Sequence, residues 1–155
     1  MAEREYQLGN KAKDLLIHTM KLTANTNLFP KHVRFTVVKE LQDVAVRIMR
    51  NVHAANECMF QTEYRRRIEL IKQVLDDCNY KLQLIEVCVE LGYIDLRRCE
   101  YWSKLVTDVK YISASWRKKE TERAKNLAEA EERRKFENQK ALLKAAVEEI
   151  IAHRQ

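Results

Sequence analysis

Apolar residues recur along most of this chain at alternating steps of three and four, the period of a helix buried along one side. Leu8, Ala12, Leu15, Thr19 and Leu22 follow that spacing, with Leu16 and Met20 broadening the stripe, and predict a first helix over residues 7–24. Asn25, Thr26 and Asn27 favour turns, while Pro30 cannot continue a helix and disfavours helical geometry at Phe29. A second helix is predicted over residues 32–56, where Val38, Leu41, Ala45, Ile48, Val52 and Ala55 form an unbroken heptad seam. After a connection at residues 57–62, Ile68, Ile71, Leu75, Cys78, Leu82, Ile85 and Val89 predict a third helix over residues 63–91. Gly92 stands where a helix end favours a left-handed residue. Asp95 suits the N-cap of a fourth helix, whose apolar face runs through Cys99, Trp102, Val106, Val109 and Trp116, widened by Leu96, Leu105 and Ile112.

Short connections make successive helices antiparallel neighbours. The expected fold is therefore all-α: an antiparallel up-down-up-down four-helix bundle over residues 1–118, with a charged helical C-terminal extension over residues 119–155. That extension is charged or small up to Lys140 and regains Leu142, Leu143, Val147, Ile150 and Ile151 near its end. Its amphipathic end can fold back, pair with another chain or fray. Leu70, Val74, Leu84 and Cys88 make a second apolar row on the third helix, and Val37 and Val44 add to the second helix. Such a row is either an oligomer interface or part of a broad core stripe.

Composition agrees with helix. The 155 residues include only two Gly and one Pro, too few for the frequent turns of a β fold. Charged residues make up 34 % of the chain and the formal net charge is +6, which suits a polyanionic partner or simply a basic soluble protein. Cys58, Cys78, Cys88 and Cys99 show neither CxxC nor zinc spacing, and Cys78 and Cys99 fall on apolar positions. A reducing cytoplasm is the expected location. The start is charged with no apolar run behind it, and no stretch reaches the ~18 apolar residues of a membrane span.

No catalytic constellation is visible. Phosphate-loop, dinucleotide, nucleophile-elbow and HExxH patterns are absent, and His18, His32, His53 and His153 do not pair at one-turn spacing. The bundle seams carry none of the inward Glu and Glu-x-x-His ligands of a di-metal site. Asp76 and Asp77 are adjacent, diverge by about 100° on a helix, and read as a solvated face. The expectation is a protein that is not an enzyme and needs no cofactor or metal.

The cations say more. Lys39, Arg47 and Arg50 cluster on the second helix off its seam; Arg65, Arg66 and Arg67 open the third, followed by Lys72 and Lys81. Arg97, Arg98 and Lys104 open the fourth helix, and Lys110, Arg117, Lys118 and Lys119 close it. Cations at a helix start oppose its dipole, so the clusters at residues 65–67 and 97–98 favour a functional reason over a merely solvated one. Cations of this kind meet phosphates without reading bases.

The segment LFPKHVRF, residues 28–35, resembles the FPK-x-x-RF element that opens the second helix in a group of bacterial four-helix-bundle proteins, with Phe29, Pro30, Lys31, Arg34 and Phe35 as the matching residues. One branch of that group is encoded in intervening sequences of large-subunit ribosomal RNA genes. The other is the accessory variability determinant (Avd) family of diversity-generating retroelements. The later segment, residues 91–118, resembles the end of the Avd branch, through Glu100, Tyr101, Trp102, Trp116, Arg117 and Lys118. The likeness covers residues 7–118. It departs where Val37 and Val38 replace a frequent Gly, and it does not extend into the tail.

The resemblance implies a homopentamer with a positively charged surface that associates with the retroelement reverse transcriptase and with its template RNA or the cDNA copied from it. The competing readings are the ribosomal-intervening-sequence branch and a helical adaptor whose tail recruits protein. In the shared motif, Phe29 and Phe35 are expected to pack inward. Arg34 has two possible roles, pairing with a carboxylate of a neighbouring helix or binding phosphate. The pairing is favoured, because a planar guanidinium beside packed aromatics suits a bidentate partner.

Overall fold

The computed structural model describes the backbone of residues 2–154 and the side chains of residues 7–154. All the regular structure described is helical: α1 (Ala2–Thr23), α2 (Lys39–Glu57), α3 (Phe60–Glu90) and α4 (Leu96–His153). Contacts divide the chain into two units, one up to Lys118 and one from Lys119. In the first, all four helices contribute to one core, including Leu15, Leu41, Ile48, Val74, Cys78, Ile85, Trp102 and Val106. The α2 seam is buried throughout, as its unbroken spacing predicts.

Cross-helix contacts show the register. Leu41, Arg47 and Asn51 of α2 meet Lys81, Asp77 and Gln73 of α3, so numbers rise on one helix as they fall on the other. Thr19 and Lys11 of α1 meet Trp102 and Asp108 of α4 in the same falling sense.

The ends of α3 and α4 follow from local chemistry. Gly92 has a φ of 77°, and the helix closes with Gly92 N donating to Val89 O and Tyr93 N to Cys88 O, the paired bonds of a Schellman turn. Asp95 caps α4 by accepting from Arg98 N at 2.8 Å.

Three expectations change. The predicted connection at residues 57–62 shortens to Cys58 and Met59. Phe60 is buried there and begins a first turn of α3, which kinks at Glu63. The second helix opens with one 3-10 turn (Lys31–Val33) and one π-helical turn (Arg34–Val38) before regular α2. Finally, the buried face of α3 runs through Arg67, Ile71, Val74, Cys78, Lys81, Ile85 and Cys88. This is a heptad seam displaced by one residue at alternate positions from the all-apolar one. Val74 and Cys88, with Val44 on α2, lie in the chain's own core, whereas Leu70, Leu84 and Val37 are half-buried. The second row is thus largely a broad core stripe.

In the second unit, every residue from 128 to 154 is exposed. Phe136, Leu142, Leu143, Val147, Ile150 and Ile151 are among them.

Candidate nucleic-acid interface

The basic residues separate into three kinds of environment. Some are engaged by carboxylates of the same chain. Lys39 pairs with Asp43 one turn on, Arg98 with the capping Asp95 at 2.8 Å, and Arg47 with Asp77 across α2 and α3 at 3.2 Å. The Asp77 contact corrects the reading of that carboxylate as a solvated face: it is half-buried and raises the pKa of Arg47 through its hydrogen bond. The cost of a cation at the start of α4 is likewise offset at Arg98 by the capping carboxylate.

Others are withdrawn into the structure. Arg67 is 4 % exposed, with its guanidinium 5.0 Å from the centre of the Trp116 ring, so it does not belong to a surface phosphate site. The reason is position: Arg67 falls on the true α3 seam, where its long stem packs and its planar head stacks on an aromatic face. Arg117, next to Trp116 in sequence, is half-buried.

The rest face solvent. Arg50, Arg65, Arg66, Lys72, Arg97, Lys104 and Lys118 are exposed and Lys110 is half-buried. Among the described residues none of these eight has a carboxylate within ion-pair distance. Arg50 and Lys72 flank the Asn51–Gln73 pair that joins α2 to α3. Arg65 and Arg66, with Thr62, Glu63 and Tyr64, line an open depression of about 430 Å³ at the start of α3, and Arg65 lies 5.8 Å from the Tyr64 ring centre. The Arg67–Trp116 contact brings the end of the bundle segment of α4, with Lys118, to this same end.

The motif residues gather at the other end. Phe29 is 2 % exposed and packs at 5.6 Å on Tyr93, which joins the loop before α2 to the loop before α4. Lys31, Arg34 and Arg97 are exposed there. From Arg66 to Glu90, α3 rises about 36 Å, which separates the two cationic ends.

Two motif expectations are corrected. Phe35 is not packed inward but 81 % exposed. In a regular helix it would share a face with Val38, three residues on. The π-helical turn takes more residues to complete its circuit, so buried Val33 and Val38 both face the core and Phe35 lies between them on the outside. Arg34 is turned outward by the same geometry, and among the described residues no carboxylate pairs with it.

Sequence reasoning missed a buried polar chain inside the bundle. Lys81 is 0 % exposed; its Nζ donates to Leu41 O at 2.9 Å and lies 5.0 Å from the Trp102 ring centre. Trp102 Nε1 donates to Thr19 Oγ1 at 3.1 Å, Thr23 Oγ1 to Thr19 O at 2.7 Å, and Gln42 Nε2 to Thr23 Oγ1 at 3.0 Å. Burial pushes the Lys81 pKa down to about 7. The aromatic face favours the ammonium by about 2 kcal/mol, less than the several kcal/mol that removing a charge from water costs. His18 packs edge-on against Tyr101 and Trp102, and burial, then Lys81, lowers its pKa. The only clue in the sequence was that Lys81 continues the three-four spacing of Val74, Cys78 and Ile85.

Among the described residues, no group of three or more His, Cys, Asp or Glu side chains is arranged to hold a metal ion. None of the helices there is long and apolar enough to cross a membrane. No family model matches the chain, and neither a curated protein nor a solved structure matches it.

Proposed function

We propose that this chain is a non-catalytic accessory subunit of a diversity-generating retroelement, binding the reverse transcriptase and its template RNA or cDNA through a basic surface. In this reading the first unit is an antiparallel up-down-up-down bundle, the second is its charged helical extension, and the chain works as a cytoplasmic homopentamer. The falling register of α2 on α3 and of α1 on α4 supports the topology. The pentamer rests on the family resemblance, because Val44, Val74 and Cys88 are spent in the chain's own core.

One observation carries the binding role. Exposed cations with no carboxylate partner among the described residues, Arg65, Arg66 and Lys118 at one end and Lys31, Arg34 and Arg97 at the other, leave positive surface that pairing among those residues has not neutralised. Such a surface attracts phosphates and releases their counterions. Binding of labelled RNA measured against salt tests this. Affinity should fall steeply and log-linearly with salt, and Arg65→Ala with Arg66→Ala should reduce the slope by about 2. Absence of binding at low salt, or binding indifferent to salt, overturns it.

A second reading is a helical adaptor. It is favoured by the exposed stripe of Phe136, Leu143, Val147 and Ile150, which recurs on one side of the helix. A chain ending at residue 127 that still binds RNA, and still co-purifies with the polymerase, would leave that stripe outside the main function.

A further inference from the structure

Among the described residues, no large apolar side chain is more exposed than Phe35. Leaving a Phe ring in water forfeits the gain from burying its apolar surface. The backbone that carries the ring is nevertheless anchored. Val33 and Val38 are buried on either side of it, Val33 N donates to Pro30 O at 3.1 Å, and Thr36 Oγ1 donates to Val33 O at 3.2 Å.

The ring's surroundings are cationic. Residues 28–39 contain Lys31, Arg34, Lys39 and His32 and no carboxylate. Lys39 is engaged by Asp43, whereas Lys31 and Arg34 face solvent one turn apart. The Phe29–Tyr93 contact adds the neighbouring loop, with exposed Leu91 and Leu96 and the cation Arg97.

We propose that this end of the bundle is a single-strand binding site, in which an unpaired base stacks on Phe35 while the flanking phosphates meet Lys31, Arg34 and Arg97. The inference rests on the nucleic-acid reading above and adds which form is recognised and where. An aromatic ring stacks only on a base whose face is free. In a duplex both faces are covered by neighbouring pairs, so a protruding ring gains nothing from it. Cations alone would hold either form; an aromatic among them selects the unpaired one.

The test uses the full chain and two fluorescein-labelled probes of about 20 nucleotides, an unstructured single-stranded RNA and a blunt RNA duplex, read by anisotropy at one fixed salt concentration. The parent should prefer the single strand. Phe35→Ala should weaken single-strand binding by roughly 5- to 100-fold, leave duplex binding and thermal melting unchanged, and be rescued by Phe35→Trp. Arg66→Ala, at the distant end, should weaken both probes alike. Equal or tighter duplex binding, or a Phe35→Ala chain that binds the single strand like its parent, overturns the proposal while leaving nucleic-acid binding intact. In that case Phe35 is better explained as a contact for a protein. A parent that binds neither probe removes this site and the reading beneath it together.

Discussion

Lys81 is the residue whose chemistry depends most on its surroundings. Its folded pKa of about 7 lies below its ordinary 10.5, so the unfolded chain holds a proton that the folded chain releases between those values. Stability should therefore rise with pH from about 7 to about 10.5, once other groups are accounted for. Lys81→Met removes that dependence and a buried charge. It should raise the melting temperature by several degrees at pH 7, with a smaller gain at pH 10, in paired thermal melts. A gain independent of pH would mean that packing rather than protonation is responsible. The same burial pushes the Cys78 thiol up to about 12 and Cys88 up to about 11. Cys58 is also buried, whereas Cys99 is half-exposed. Brief iodoacetamide treatment of the native protein should label Cys99 ahead of the other three, as read by peptide mass. Adjacent arginines should part company too. Arg67→Ala, which vacates the Trp116 face, should cost about 1–3 kcal/mol in denaturant melts, while Arg66→Ala should leave stability within about 0.5 kcal/mol. Arg34→Lys should melt like its parent, because among the described residues no carboxylate holds the guanidinium.

At the scale of the helices, the two glycines make opposite predictions from one principle. Gly92 sits at φ 77° in the turn that ends α3, so Gly92→Ala should destabilise by about 1 kcal/mol although an added methyl meets nothing within 4 Å. Gly9 lies inside α1 with the same open space around it, and Gly9→Ala should stabilise by up to about 1 kcal/mol through helix propensity. Equilibrium urea unfolding of both variants checks the pair. Both helix-end signals were legible in the sequence because caps are local: Gly92 and Asp95 act on backbone groups within a few residues of themselves. The π-helical turn was not. Nothing in the order Arg34–Phe35–Thr36 shows that Val33 and Val38 will both be drawn to the core, and it is that pull which sends Phe35 outward. The α3 seam was misplaced for a related reason. Two stripes share Ile71, Cys78 and Ile85; hydrophobicity selects the one with Ile68, Leu75 and Leu82, while packing selects the one with Arg67, Val74 and Lys81.

For the whole molecule, the two units should respond differently to truncation. Side chains of residues 128–154 are all exposed, so a chain ending at residue 127 should keep the melting temperature of the parent within a few degrees while losing helical ellipticity. A large loss of stability would mean that the extension is covered in solution. Native mass spectrometry addresses the assembly: a species at five times the 18.4 kDa chain mass supports the pentamer, and another multiple or a monomer at all concentrations ends it. The helical class, the α2 seam, the caps and the distribution of charge were determined by the sequence alone, because periodicity, propensity and capping act over a few neighbouring residues. Tertiary structure alone decided which cations face solvent. Arg47 needed Asp77, Arg67 needed Trp116, and Lys81 needed Leu41 and Trp102, partners 21 to 49 positions away, and a charge is spent or left free only by what the fold brings against it.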